Sequence, residues 1–169
     1  MGTFSHKKMA PKHLRVAIIS VSTTRSISED KSGAWIKKQL KKEGHEVVVH
    51  HVVTDEIMAI KEMVEHVVWK IQPNAILMSG GTGISPRDVT VEAVQPLFEK
   101  ELSGFSHLFA QLSYEEIDSA AMLSRATAGI LNNVIIFCMP GSLKACKLAC
   151  NALILPELGH LVKHISEKP

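Results

Sequence analysis

Short, nearly unbroken apolar runs alternate along the chain with segments whose apolar residues recur at helical spacing. Arg15–Val21 (RVAIISV) reads as a buried strand that ends in polar residues, Glu46–Val53 (EVVVHHVV) as a second strand, and Ala75–Ser79 (AILMS) and Val134–Met139 (VIIFCM) as further buried strands. Between the first two runs, Ser32–Lys42 carries Trp35, Ile36 and Leu40 on one side and meets Gly44 as a C-terminal stop. Ile57, Ile60, Val64, Val67, Val68 and Ile71 mark an amphipathic helix closed by Pro73. Residues 97–131 are helical in tendency, with Gly104 and Gly129 blurring the boundaries. Pro140-Gly141-Ser142 then opens a long apolar helix to about Leu155, and Pro156 begins a last helical segment. Continuous apolar strands alternating with helices predict an α/β fold, a single domain built on a doubly wound, mostly parallel sheet with helices on both faces. Residues 1–13, polar, basic and without period, are expected to form a mobile tail, and residues 14–169 the domain.

Composition narrows the classes of function. With 169 residues, 46% of them hydrophobic and 21% charged, the chain has ordinary globular usage, and a net charge of +2 implies no strong electrostatic partner. The one basic run, Lys37, Lys38, Lys41 and Lys42, reads as a solvated helix face, so no nucleic-acid partner is expected. No apolar run approaches the roughly 18 residues of a membrane span, and no signal-peptide core is present. Cys138, Cys146 and Cys150 form no CxxC and are expected to be buried free thiols of a cytoplasmic protein. Among the histidines, His50 and His51 are adjacent in a strand and point to opposite faces. Together with His45 and His66 they lack metal-ligand spacing and read as solvated or capping.

In an open parallel sheet, ligands bind beyond the carboxyl ends of the strands. The first strand is followed by Ser22, Thr23, Thr24 and Arg25, then by Asp30-Lys31-Ser32-Gly33 at a helix start. Thr54 and Asp55 follow the second strand, and Pro140-Gly141-Ser142 the fourth. The third runs into Gly80-Gly81-Thr82-Gly83, with Arg87-Asp88-Val89-Thr90 close behind. Glycines there let backbone amides approach a phosphate, although a tight turn explains them equally. The run lacks the Lys-Ser/Thr pair of a P-loop and the third glycine of the dinucleotide fingerprint. Asp55 and Asp88 fall on one edge of the sheet and suit Mg²⁺, which takes one or two carboxylates and fills its other positions with water and phosphate oxygens. Asp55 also suits a helix cap before Ile57, and Asp88 a cap or a pair with Arg87. Ser142 lacks the G-x-S-x-G setting of a nucleophile elbow, so no covalent catalyst is expected.

These residues resemble the MoaB/Mog family of molybdenum-cofactor biosynthesis proteins, over about Leu14 to Val162. The most specific stretch is Ser79–Ala93 (SGGTGISPRDVTVEA), joined by Pro96-Leu97-Phe98, Gly104-Phe105 and the LSYEEI block at 112–117. Leu123-Ser124-Arg125-Ala126, Met139-Pro140-Gly141-Ser142 and Asp30-Lys31-Ser32-Gly33 match further blocks. The resemblance implies a molybdopterin adenylyltransferase, which joins AMP from MgATP to the terminal phosphate of molybdopterin and releases pyrophosphate, for a molybdenum or tungsten cofactor. It implies Asp55 and Asp88 as catalytic Mg²⁺ ligands. It also implies Ser22, Thr23, Asp30, Ser32, Gly33, Gly80, Gly81, Thr82, Gly83, Arg87, Thr90, Ser124, Arg125, Pro140, Gly141 and Ser142 around pterin and nucleotide. Arg87 and Lys144 are candidates to neutralise phosphate. Family members are trimers or pairs of trimers (hexamers), and a metal-insertion protein is the expected recipient of the product. Some members of the MoaB branch resemble this chain but have lost adenylylation, with the Arg-Asp-Val-Thr segment altered. Here Arg87-Asp88-Val89-Thr90 and Asp55 stand, which favours the enzyme over a non-catalytic oligomer that binds molybdopterin or nucleotide.

Overall fold

The structure, a computed structural model, describes residues 11–167. Its single sheet has six strands, β1 (Arg15–Val21), β2 (Glu46–Val53), β3 (Ala75–Ser79), β4 (Lys100–Glu101), β5 (Thr127–Leu131) and β6 (Val134–Met139), in the order β2-β1-β3-β6-β5-β4. The four strands legible in the sequence form its parallel part, while β5 and β4 add an antiparallel edge. The helices are α1 (Lys31–Lys42), α2 (Ile57–His66), α3 (Thr90–Val94), α4 (Ser103–Ile117), α5 (Leu143–Ala149) and α6 (Leu155–Ser166).

The side chains of each central strand point alternately to two apolar layers. Val16, Ile18, Leu77, Ile135 and Phe137 face α1, α4, α5 and α6, where Ile36, Leu40, Phe105, Phe109, Cys146, Ile154 and Leu158 close over them. Ala17, Ile19, Ile76, Met78, Ile136 and Cys138 face the other way and are covered by Ile60 and Val64 of α2 and by Ala93 and Val94 of α3. Each fully buried aliphatic or aromatic side chain contributes about 1.5–3 kcal/mol. The doubly wound arrangement therefore follows from strands that are apolar on both faces.

One expectation is corrected. Residues 97–131 are not helical throughout. The 3-10 turn Gln95–Leu97, α4 and a 3-10 stretch at Asp118–Leu123 are, and β5 is a strand that pairs with β6. The hairpin turns at Asn132 and Asn133, both at positive φ (48° and 61°), the geometry that two-residue hairpin loops require and that asparagine tolerates. The last helical segment starts as expected, with Pro156 in the first turn of α6, and a π-type turn at Cys150–Ile154 joins α5 to it, so helical residues run unbroken over Leu143–Ser166. By length and composition this helix could cross a membrane, a property hidden from a search for uninterrupted apolar runs by Lys144, Lys147 and Glu157. Its apolar stripe packs in the core through Cys146, Ala149, Cys150, Ile154, Leu158 and Val162. The expected tail lies mostly outside the described residues. At its inner end, His13 Nδ1 is hydrogen-bonded to the Gly44 carbonyl (2.6 Å).

Candidate functional site

The carboxyl ends of β1, β3 and β6 meet backbone to backbone. Gly80 and Gly81 leave β3 at φ +102° and +66°, values that disfavour any side chain. A Cβ on Gly80 would overlap the Val21 carbonyl oxygen at the end of β1, and one on Gly141 would lie 3.1 Å from Gly80 Cα. The Gly80 amide donates to the Met139 carbonyl (3.0 Å), which ties β3 to the Pro140-Gly141-Ser142 turn. Thr90, fully buried, donates its hydroxyl to the Gly80 carbonyl (2.8 Å), and its amide donates to Gly81 (2.9 Å). The Ser32 hydroxyl donates to the Gly141 carbonyl (3.0 Å), so the first turn of α1 is fixed to the same turn.

Asp88 stands just beyond the glycine loop. Its carboxylate accepts from the Ser85 amide (2.9 Å), and a Cβ on Gly83 would lie 2.7 Å from its Oδ2. Burial pushes its pKa up, but the Ser85 hydroxyl and amide, the Gly83 amide and the Arg125 charge outweigh that and hold it below the usual carboxylate range. Arg125 clamps the loop. Its amide donates to the Thr82 carbonyl (2.9 Å), Nε to Gly83 (2.8 Å) and Nη2 to the Asp88 carbonyl (2.8 Å), while both Nη atoms hold the Glu92 carboxylate. Asp88, Ser85, Glu92 and Arg125 line a concavity of about 320 Å³. Ser124 and Arg125 also line a neighbouring one of about 360 Å³, with Gln95, His107 and Thr127.

Asp55 is half-buried at the end of β2, where its amide donates to the Thr23 hydroxyl (3.4 Å), and the Ser22 amide donates to the Val53 carbonyl (2.9 Å). The cap alternative falls away, since α2 begins after Glu56 with no side-chain cap. The Arg87 alternative for Asp88 falls away as well, because Ser85, Gly83 and Arg125 are the groups that hold the carboxylate, and Arg87 is exposed. Lys144 pairs with Glu116 on the surface (3.3 Å).

Asp30 has a different place from the one its motif suggests. It is 2% exposed and caps α1, accepting from the Gly33 amide (2.9 Å). It also accepts from the Ser20 hydroxyl (2.5 Å) and bonds His50 Nε2 (2.9 Å). Burial pushes its pKa up, and the His50, Ser20 and Gly33 hydrogen bonds outweigh it to leave a depressed value. Asp30, Ser32 and Thr90 therefore brace the site from beneath, and Ser142 accepts from the Ala145 amide (3.2 Å) as the cap of α5. His50 is the residue the sequence reading missed. It is neither solvated nor capping but sits in an internal pair with Asp30, its side chain 9% exposed. Cys138, Cys146 and Cys150 are buried, and burial raises the Cys138 and Cys146 thiols to about 12 and Cys150 in the same direction, which disfavours the thiolate.

Comparison with known proteins now bears on this arrangement. Residues 17–160 match the family described as "Probable molybdopterin binding domain". The chain is 46% identical over 166 residues to molybdenum cofactor biosynthesis protein B of Bacillus subtilis, covering 98% of each. It belongs to the MoaB/Mog family. A probable molybdopterin adenylyltransferase of Methanocaldococcus jannaschii is 41% identical over 169 residues, covering 96% of this chain and 99% of that one. A crystal structure of molybdenum cofactor biosynthesis protein B superposes with a TM-score of 0.90 at 44% identity, over 95% of this chain and all of that one (100%). The tungsten cofactor synthesizing protein MoaB of Pyrococcus furiosus gives 0.83 at 38% identity, over 94% and 100%.

Two further features of this MoaB/Mog chain lie on the loops just described. The hydroxyls of Thr82 and Ser124 are buried with no hydrogen-bond partner among the described residues. Arg125 joins the segments that carry them, since its amide binds Thr82 directly. In the MoaB/Mog fold, the glycine loop, Asp88 and Ser124-Arg125 are thus one hydrogen-bonded body, and Asp55 stands on a separate loop beside Thr23.

Proposed function

We propose that this chain is a molybdopterin adenylyltransferase of molybdenum or tungsten cofactor biosynthesis. It transfers AMP from ATP to the terminal phosphate of molybdopterin and releases pyrophosphate. The observation that carries the reading is the Asp88 carboxylate, which the Ser85 amide and Arg125 hold against the glycine loop at the carboxyl edge of the sheet and below the usual carboxylate range. A phosphate monoester has a second pKa near ~6, so the attacking oxygen is already largely deprotonated and needs no general base. The protein must instead align two repelling anions and stabilise charge gathering on the leaving pyrophosphate.

Mg²⁺ fits the donor set, since Asp55 and Asp88 are hard oxygen ligands. No group of three or more metal-binding side chains gathers among the described residues, which suits an ion completed by phosphate oxygens and water. Bound there, Mg²⁺ would neutralise phosphate charge during displacement. The Thr82 and Ser124 hydroxyls, which lack partners among the described residues, supply hydrogen bonds to substrate. Ser22, Thr23 and Arg87 lie at or near the strand ends as further contacts, and the α1 and Pro140-Gly141-Ser142 turns shape the floor.

Residues 14–169 act as one molybdopterin-binding domain in the cytoplasm, where the three unpaired thiols remain reduced. The chain assembles as a trimer or hexamer, with the exposed apolar side chains Leu108, Tyr114 and Ile117 of α4 and Met122 and Leu123 of the 3-10 stretch after it as contacts, and passes its product to a metal-insertion protein.

The test is incubation of the protein with molybdopterin, MgATP and pyrophosphatase, with adenylylated pterin followed by chromatography and Asp88→Asn run alongside. Product from the natural chain, and a loss of about a hundredfold or more in the folded variant, is the expected result. Tight pterin binding without product from either would overturn the reading and leave a non-catalytic carrier.

A further inference from the structure

Away from the carboxyl ends of the strands, α6 and its C-cap Glu167 present an arrangement of four side chains that the adenylyltransfer reading does not use. His160 and His164 lie one helical turn apart, at the i,i+4 spacing that puts both on one face. His160 Nδ1 lies 3.2 Å from a Glu157 carboxylate oxygen, and His164 Nδ1 lies 3.2 Å from a Glu167 oxygen. The two Nε2 atoms face each other at 2.8 Å, with the rings crossed at 60°. A carboxylate accepts, so each Nδ1 must carry the hydrogen it donates. In the neutral rings that leaves a lone pair on each Nε2, and two lone pairs at 2.8 Å repel unless an electrophile stands between them.

We propose that His160 and His164 form a binding site for a borderline divalent transition cation of the Zn²⁺ class, held through both Nε2 atoms. Glu157 and Glu167 are its orienting outer shell. A carboxylate on the far nitrogen of a metal-bound imidazole fixes its tautomer and raises its basicity, and that is the arrangement both rings have. Imidazole pairs select Zn²⁺, Ni²⁺ and Cu²⁺ over Mg²⁺ and Ca²⁺. With Zn–N bonds near 2.0–2.1 Å at a tetrahedral angle, the two nitrogens would stand about 3.3 Å apart. The present separation needs to open by only about half an ångström, which small rotations of two helix-surface rings provide. Water completes the coordination, as no third metal-binding side chain joins the pair among the described residues. The bound ion would staple the last turns of α6, whose Leu158 and Val162 pack in the core.

The test uses the full chain, untagged and metal-depleted, titrated with Zn²⁺ alone by calorimetry and followed by thermal unfolding. One ion per chain and a raised Tm are expected. Either His160→Gln or His164→Gln should weaken binding at least tenfold and erase the Tm rise, and Glu157→Gln should weaken it about tenfold with both imidazoles intact. Both histidines are helix-surface residues, and circular dichroism confirms that the variants fold. An affinity unchanged in the His160→Gln/His164→Gln double variant would overturn the assignment by placing the ion elsewhere. Absence of binding to the natural chain at millimolar Zn²⁺ would overturn it in favour of a proton shared between the rings. A Cu²⁺-loaded sample whose paramagnetic resonance lacks coupling to two imidazole nitrogens would do the same.

Discussion

Replacing Asp30 by alanine removes three partners of one buried carboxylate. The Gly33 amide loses its acceptor at the N-terminus of α1, the Ser20 hydroxyl loses a 2.5 Å acceptor, and His50 Nε2 is left facing a void. Losing the helix cap costs about 1 kcal/mol. Each hydrogen bond to a charged group contributes about 1.5–3 kcal/mol, and the bonds are coupled through one side chain, so a total of about 3–5 kcal/mol is expected. With a urea slope of about 2 kcal/mol per molar, the unfolding midpoint should fall by roughly 2 M. The measurement belongs at one fixed protein concentration, because self-association adds to apparent stability. Asp30→Asn keeps the cap and removes the charge, so it should fall between alanine and the natural chain. Because the folded pKa of Asp30 is depressed, the stability its charge supplies is complete above the unfolded value of about 3.9 and is lost as pH falls through the folded value. The gap between the natural chain and Asp30→Asn should therefore close in acid and stay constant toward neutrality. An alanine cost below about 1 kcal/mol, or a gap that widens in acid, would refute the account.

Three other perturbations follow from the same geometry. Gly80→Ala forces a side chain into positive φ and against the Val21 carbonyl, so it should cost at least about 2 kcal/mol and lower the Tm by about 4–8 °C in calorimetry. Arg125→Lys keeps the charge but loses the fork that spans Gly83, Asp88 and Glu92. It should lower kcat/KM for adenylylation at least tenfold with little change in circular dichroism, and full activity would argue against a clamp. Leu123→Glu places a charge at an exposed apolar side chain and should shift the chain toward monomer in sedimentation equilibrium, whereas an unchanged mass would move the interface elsewhere.

In the parallel half of the sheet, β1, β3 and β6 were legible because they are apolar on both faces and covered, and β2, half-exposed at the edge, through its run of valines. Thr127–Leu131 was not, because TAGIL has no such run. Its identity as a strand comes from pairing with Val134–Met139 across an Asn-Asn turn. At the site, the glycine loop and Asp88 are local in sequence and could be read as a unit. The Asp30–His50 pair could not, since it spans twenty residues and depends on an irregularity. The register of β1 on β2 slips between Val16 and Ala17, so that Val47 faces one apolar layer while Val48 and Val49 both face the other. That one-residue slip inverts every later side chain of β2 and sets His50 opposite Ile18, on the side where α1 and Asp30 lie. Without the bulge, the strict alternation assumed for a strand would have turned His50 to the α2 layer, away from Asp30. Deleting Val48 removes the extra residue and leaves Val49 opposite Ala17 and His50 opposite Ile18, so the Asp30–His50 pair should survive a straightened strand. The expected outcome in urea unfolding is a stability loss smaller than that of Asp30→Ala, and a loss at least as large would refute this account of the bulge.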